Sequence, residues 1–212
     1  MLLSKNTWWG KNDYITKLLG QYEIQVIFEL AKLSKNYDHF IDVGAGDGYF
    51  VIGALKSNLF KTASSFEIEE VGKKIIYENA RLNNVEDYLE IKGKVAKSDL
   101  QKIVKEKGGC AILIDIEGSE FDLLNEEILH ELKTSSIIVE LHDNIFNDLK
   151  EKRDQFEKRA NQLFDVSIVS RITPEINSFE ILDSWSDDER MIAFSEGRPA
   201  QMEWIVLTPK LT

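Results

Sequence analysis

The chain has 212 residues, a length that suits one α/β domain with a small N-terminal addition. Hydrophobic residues make up 43% and charged residues 30%, the balance of a globular chain rather than a disordered one. A formal net charge of -11 without a Lys/Arg cluster argues against a nonspecific nucleic-acid or anionic-membrane binder, and a single cysteine, Cys110, excludes a disulfide framework and a cysteine-rich zinc site.

The opening segment MLLSKNTWWGKND turns polar after three residues, and no apolar stretch approaches the ~20 residues that span a bilayer. A cytoplasmic location with no membrane partner is therefore expected. Residues 21–33 carry Ile24, Ile27, Phe28 and Ala31 at i, i+3, i+4, i+7, the pattern of an amphipathic helix with those four turned inward. Residues 1–35 are expected to form a helical cap on a domain covering 36–212. Trp8, Trp9 and Tyr22 are expected to help roof a substrate pocket.

Residues 40–50 read FIDVGAGDGYF. A short buried strand ends near Asp42, glycines follow at alternate positions (Gly44, Gly46, Gly48, with Ala45 between the first two), and an apolar run opens a helix. Glycine reaches φ > 0 and lacks Cβ, so such a turn brings backbone N–H groups close to a ligand at a helix N-terminus. The spacing is not that of a dinucleotide fingerprint, whose third glycine would fall at Tyr49.

Strands and helices then alternate. Residues 62–68 read as a strand, 69–83 as a helix with Val71, Ile75, Ile76 and Ala80 inward, and 88–91 as a strand. Residues 94–107 run from a loop into a helix. The nearly all-apolar 110–115 suits a strand covered on both faces. Ser119 and Asp122 open a helix that carries Phe121, Leu124, Ile128 and Leu132 inward. A strand at 135–141, a charged helix at 145–163 and a strand at 164–172 follow. The tail reads as strand at 176–182, helix at 187–194 and strand at 202–208, which suggests antiparallel pairing at one edge.

The alternation predicts an α/β fold, a doubly wound Rossmann-like sheet that is mostly parallel with an antiparallel C-terminal edge strand. Right-handed crossovers place Gly44, Glu67, Asp115 and Leu141 along one rim. Glu67 lies 25 residues after Asp42, where an acid meets ribose hydroxyls; it is preferred over Glu69 and Glu70 because it sits nearest the strand end. Lys94, Val95 and Ala96 lie where an adenine would rest, Val95 against the ring and either backbone or Asp99 toward its edge. Asp115 with Asp143 and Asn144 offers hard oxygen ligands for Mg²⁺, although Asp143 and Asn144 equally suit a helix cap. In the tail, Asp188, Arg190, Glu196, Gly197 and Arg198 form a polar group that suits either a substrate contact or a salt-bridged surface loop.

The D-x-G-x-G-x-G pattern resembles the first motif of class I S-adenosylmethionine-dependent methyltransferases. ILIDIEGSEFDLL (112–124) and IIVELHD (137–143), together with FIDVGAGDGYF and FEIEEVGKKIIYENARLNNV, resemble the FkbM-like methyltransferases over residues 38–145. The matching positions are Asp115, Ile116, Glu117, Gly118, Ser119 and Glu120, then Val139, Glu140, Leu141 and His142. Ile68 departs from the pattern, since the family often has proline after the acid. The resemblance implies S-adenosylmethionine held by Asp42, Gly44, Ala45, Gly46, Gly48, Glu67, Val95 and Asp115, and O-methyl transfer to a small-molecule or glycan acceptor. An alcohol attacks well only when a base takes its proton. His142 is expected in that role, oriented by Glu140 or Glu117, with Asp115 beside it. Methyl transfer to nitrogen, and a catalytically silent S-adenosylmethionine-binding or scaffold protein, are the alternatives.

Overall fold

In the computed structural model, residues 1–6, 13–142, 149–198 and 200–210 are described. Two helices, α1 (Tyr14–Leu18) and α2 (Ile24–Leu33), precede the first strand. The chain then runs β1 (His39–Val43), α3 (Tyr49–Lys56), β2 (Thr62–Phe66), α4 (Glu70–Asn83), β3 (Leu89–Lys92), α5 (Lys97–Lys107) and β4 (Ala111–Ile114). Next come α6 (Glu120–Leu123), α7 (Glu126–Glu131), β5 (Ser136–Leu141), α8 (Leu149–Leu163), β6 (Phe164–Ser170), α9 (Asp187–Ala193) and β7 (Glu203–Pro209).

The strands form one seven-stranded sheet in the order β3-β2-β1-β4-β5-β7-β6. The pairs among β1 to β5 are parallel, and β7 runs antiparallel between β5 and β6. The expected doubly wound sheet with antiparallel C-terminal pairing is therefore present. Chain order reverses between β1 and β4, and ligands of such sheets sit beyond the strand ends at that reversal.

Alternation along the central strands divides the core in two. Ile41, Val43, Ile112, Ile114, Ile137 and Val139 face one side with Phe121, Leu124 and Phe156. Phe40, Ala111, Leu113, Ile138 and Trp204 face the other with Val26, Leu30, Val51 and Ile76. Both faces are apolar because helices cover both.

Several sequence expectations are corrected. In α2 the buried residues are Gln25, Val26, Leu30 and Leu33, whereas Phe28 is 50% exposed. In α4, Ile75, Ile76 and Ala80 are buried as expected, but Val71 is exposed. The helix expected from Ser119 onward is two helices, because the Asn125 side chain accepts the Ile128 N–H at 3.0 Å and caps a new one. Ser119 makes no side-chain cap bond at the head of α6. Residues 176–182 hold no strand and end in a 3₁₀ turn, Glu180–Leu182. Among the described residues, no helix is long and apolar enough to cross a membrane.

Candidate active site

The β1–α3 turn, the ends of β2 and β4 and the segment after β3 enclose a cavity of about 580 Å³ at the strand rim. A ligand site is expected there. A Cβ on Gly44, at φ +89°, would stand 1.6 Å from the Asp115 carbonyl oxygen, so the turns after β1 and β4 meet only through glycine. Ala45, Gly46 and Asp47 line the cavity. Gly48, expected to hold the cofactor, is not among the residues that line the cavity. A Cβ there would meet Ile52 Cδ1 at 2.7 Å and Ile76 at 3.3 Å, so its place is in the packing of α3 on α4.

Glu67 is buried on the cavity wall and its carboxylate is pinned twice. Oε2 accepts the Gly46 N–H at 2.9 Å and Oε1 the Glu69 N–H at 2.8 Å. α4 crosses it closely, since a Cβ on Gly72 would lie 2.7 Å from Glu67 Cγ. Among its neighbouring acids, Glu70 is spent on Lys73 at 2.5 Å. Val95 and Lys94 border the cavity as expected. Asp99, expected at the adenine edge, instead accepts the Ala96 N–H at 2.9 Å and closes the first turn of α5.

Asp42 lines the cavity floor, 2% exposed. Burial pushes its carboxyl up to about 7, against the Val51 backbone bond that favours the charge. Its Oδ2 takes no hydrogen bond from any described residue. Beside it Lys17 is held between Asp13 at 2.9 Å and Asp47 at 2.8 Å, 4.7 Å from the Tyr22 ring centroid. Burial opposes the lysine charge, but the two carboxylates outweigh it and raise its pKa. Sequence reasoning missed this clamp, for a helical lysine and an aspartate thirty residues on carry no shared pattern. Tyr22 lines the cavity, its ring 5.5 Å from that of Tyr49 and 5.9 Å from that of Phe50. Trp8 and Trp9 of the expected roof, and Asp143 and Asn144 of the expected magnesium ligand set, lie outside the described residues.

On the far wall Asp115 and Glu117 reach the cavity, and Glu117 holds a left-handed backbone at φ +55°. His142 and Glu140 are each 3% exposed and stand behind them. His142 Nε2 lies 3.6 Å from Asp115 Oδ1 and 3.4 Å from Glu117 Oε2, so among the described residues a hydroxyl in the cavity meets those carboxylates first. The group that orients the ring is Glu120, neither Glu140 nor Glu117. Its Oε1 bonds Nδ1 at 2.9 Å and also accepts the N–H groups of Ile116 and Gly118. D-I-E-G-S-E contains Glu120, but nothing in the pattern showed that it is fully buried.

Burial raises the Asp115 pKa well above the usual range, and Glu140 adds to it. For His142 burial opposes the charge, while the bond to Glu120 and the nearby carboxylates overcome it and raise the pKa. Glu140 pairs with Arg198 at 2.5 Å, which also bonds Glu196 at 2.7 Å and Glu23. Burial, then Glu140, pushes Glu23 up to about 8. The tail thus supplies a buried hub through Glu196 and Arg198. Arg190 pairs with Asp187 at 2.5 Å, and neither Arg190 nor Asp188 joins the hub.

No family model matches the chain. It is 32% identical over 127 residues to a ribosomal protein L11 methyltransferase of Caldicellulosiruptor bescii, covering 59% of this chain and 38% of that protein. The chain therefore spans less than half the length of that relative. An O-methyltransferase from Bacillus cereus, solved in complex with SAH, superimposes with a TM-score of 0.58 at 14% identity over 95% of this chain and 93% of that one. Spermidine synthase from Thermotoga maritima gives 0.61 at 16% identity over 90% of this chain and 60% of that one. These structures share the fold.

Proposed function

We propose that the protein transfers a methyl group from S-adenosylmethionine to a hydroxyl of a small-molecule or carbohydrate acceptor. The observation that carries the reading is one cavity at the rim that joins the glycine turn, a doubly bonded buried Glu67 and an acidic far wall. Glu67 is placed to accept from ribose hydroxyls, with Val95 beside the adenine and Gly44–Asp47 along the methionyl part. The bound donor supplies a methyl on a sulfonium cation, and a wall of Asp42, Glu67, Asp115 and Glu117 favours a cation over a neutral product. The methyltransferase relative and the solved O-methyltransferase support the reaction class. The FkbM-like motifs favour a hydroxyl.

The chemistry asked of the protein is alignment of the hydroxyl with the methyl and removal of its proton. The hydroxyl is activated at the Asp115–Glu117 edge, with the His142 ring directly behind it. A second reading, with a protein as acceptor, is favoured by the 32% identity over 127 residues to a ribosomal protein L11 methyltransferase. The test is formation of S-adenosylhomocysteine across panels of sugars, small alcohols and ribosomal proteins. Glu117→Gln is expected to lower turnover by about 10²-fold and to leave S-adenosylhomocysteine affinity unchanged. Equal turnover in the variant would remove the acidic edge from the mechanism.

A further inference from the structure

We propose that Asp115, Glu117, Glu140 and His142 hold one divalent cation of the first transition row, of the Mn²⁺ or Zn²⁺ type, at the cavity's acidic wall. One ligand atom from each of Asp115, Glu140 and His142 lies within 4.8 Å of the others. Glu117 Oε2 and Asp115 Oδ1 stand 3.4 Å and 3.6 Å from His142 Nε2. Two donors about 2.1 Å from a shared ion are roughly 3.0 Å apart at a right angle and roughly 3.4 Å apart at the tetrahedral angle. The His142 Nε2 distances to Asp115 and Glu117 are thus close to those of donors on one ion, and Glu140 lies near enough to close in on it.

His142 has a side chain 3% exposed, with Nδ1 fixed on Glu120 Oε1 at 2.9 Å. With the proton on Nδ1, Nε2 presents a lone pair, and what faces it are carboxylate oxygens that also present lone pairs. Facing lone pairs repel unless a proton or a metal ion lies between them. In addition, Asp115 Oδ1 is sealed from solvent and takes no hydrogen bond from any described residue. A carboxylate behind an imidazole, as Glu120 stands here, is the arrangement that orients a metal-binding histidine.

The neighbouring cation is already committed, since Glu23, Glu140 and Glu196 share Arg198. One imidazole among carboxylates suits Mn²⁺, Fe²⁺ or Zn²⁺ better than Ca²⁺ or Mg²⁺, which prefer oxygen alone. Asp115 and Glu117 both line the cavity, so an ion between them borders on it. For the role of the ion, the proposal rests on the methyl-transfer reading. A hydroxyl coordinated there gives its proton to water, its oxygen bonds the methyl carbon as the C–S bond breaks, and that electron pair returns to sulfur as a neutral thioether.

The experiment titrates Mn²⁺ into EDTA-treated, desalted protein and reads free Mn²⁺ by electron paramagnetic resonance, with S-adenosylhomocysteine binding measured separately. One Mn²⁺ per chain is expected, with affinity weakened about tenfold or more in both His142→Gln and Glu117→Gln. Circular dichroism confirms folding, and the exposed Glu117 supplies the test if the His142 variant does not fold. Absence of saturable Mn²⁺ binding, or binding that Glu117→Gln leaves unchanged, overturns the site. If S-adenosylhomocysteine binds and Mn²⁺ does not, the metal site alone is overturned; if Mn²⁺ binds and S-adenosylhomocysteine does not, the site stands and the methyl-transfer reading is overturned.

Discussion

The buried Asp42 carboxyl costs the folded chain stability at neutral pH. Its ordinary value is 3.8 and burial moves it to about 7, so between these values the folded chain keeps a proton that the unfolded chain has lost. Stability therefore falls as pH rises through that window, and the penalty is complete above about pH 7. Asp42→Asn keeps an acceptor for the Val51 N–H and removes the charge. Its melting temperature is expected to exceed that of the wild type at pH 8, by about 2–4 °C per kcal/mol recovered, with the gain vanishing near pH 4. Scanning fluorimetry at the two pH values checks this. The cost is consistent with a ligand that brings positive charge to the cavity floor. Asp42 was legible in the sequence as the last acid before a glycine turn. Glu120 and Lys17 were not, because their importance comes from burial and from partners distant in sequence.

At the level of elements, the contact of α4 with Glu67 sets the geometry of the expected ribose acid. Only a glycine at position 72 lets the helix approach, since a Cβ there would lie 3.0 Å from Glu67 Cδ and 3.1 Å from the Gly46 carbonyl oxygen. Gly72→Ala improves helix propensity by up to about 1 kcal/mol, yet it displaces the carboxylate from the Gly46 N–H. Affinity for S-adenosylhomocysteine is expected to fall about tenfold, the worth of one charge-assisted hydrogen bond. Calorimetric titration reads the affinity, and circular dichroism shows whether the fold is retained. The strands were legible because alternation or continuous apolar character marks them strongly. The buried face of α2 was not: Ile24, Ile27, Phe28 and Ala31 form one apolar side and Val26, Leu30 and Leu33 another, and it is the second that is buried. Ile176, Phe179 and Leu182 are spaced by three, not by the two of a strand face, and pack as a separate small cluster with Phe194.

Over the whole molecule, the N-terminal helices and the tail meet at the strand rim. Lys17 joins α1 to the glycine turn, and Arg198 joins Glu23, just before α2, to Glu140 on β5 and Glu196 in the tail. The parts of the sequence that said least therefore close the site, through buried ion pairs whose partners lie up to 175 residues apart. The doubly wound sheet puts every element of the proposed cofactor site on one rim, so the central claim is that this rim binds the methyl donor. Titrating the protein with S-adenosylhomocysteine in a calorimeter tests it most directly. The account predicts one saturable site per chain, about tenfold weaker in Glu67→Gln, and no heat from NAD. Heat from NAD with none from S-adenosylhomocysteine, or an S-adenosylhomocysteine affinity that Glu67→Gln leaves unchanged, would contradict it.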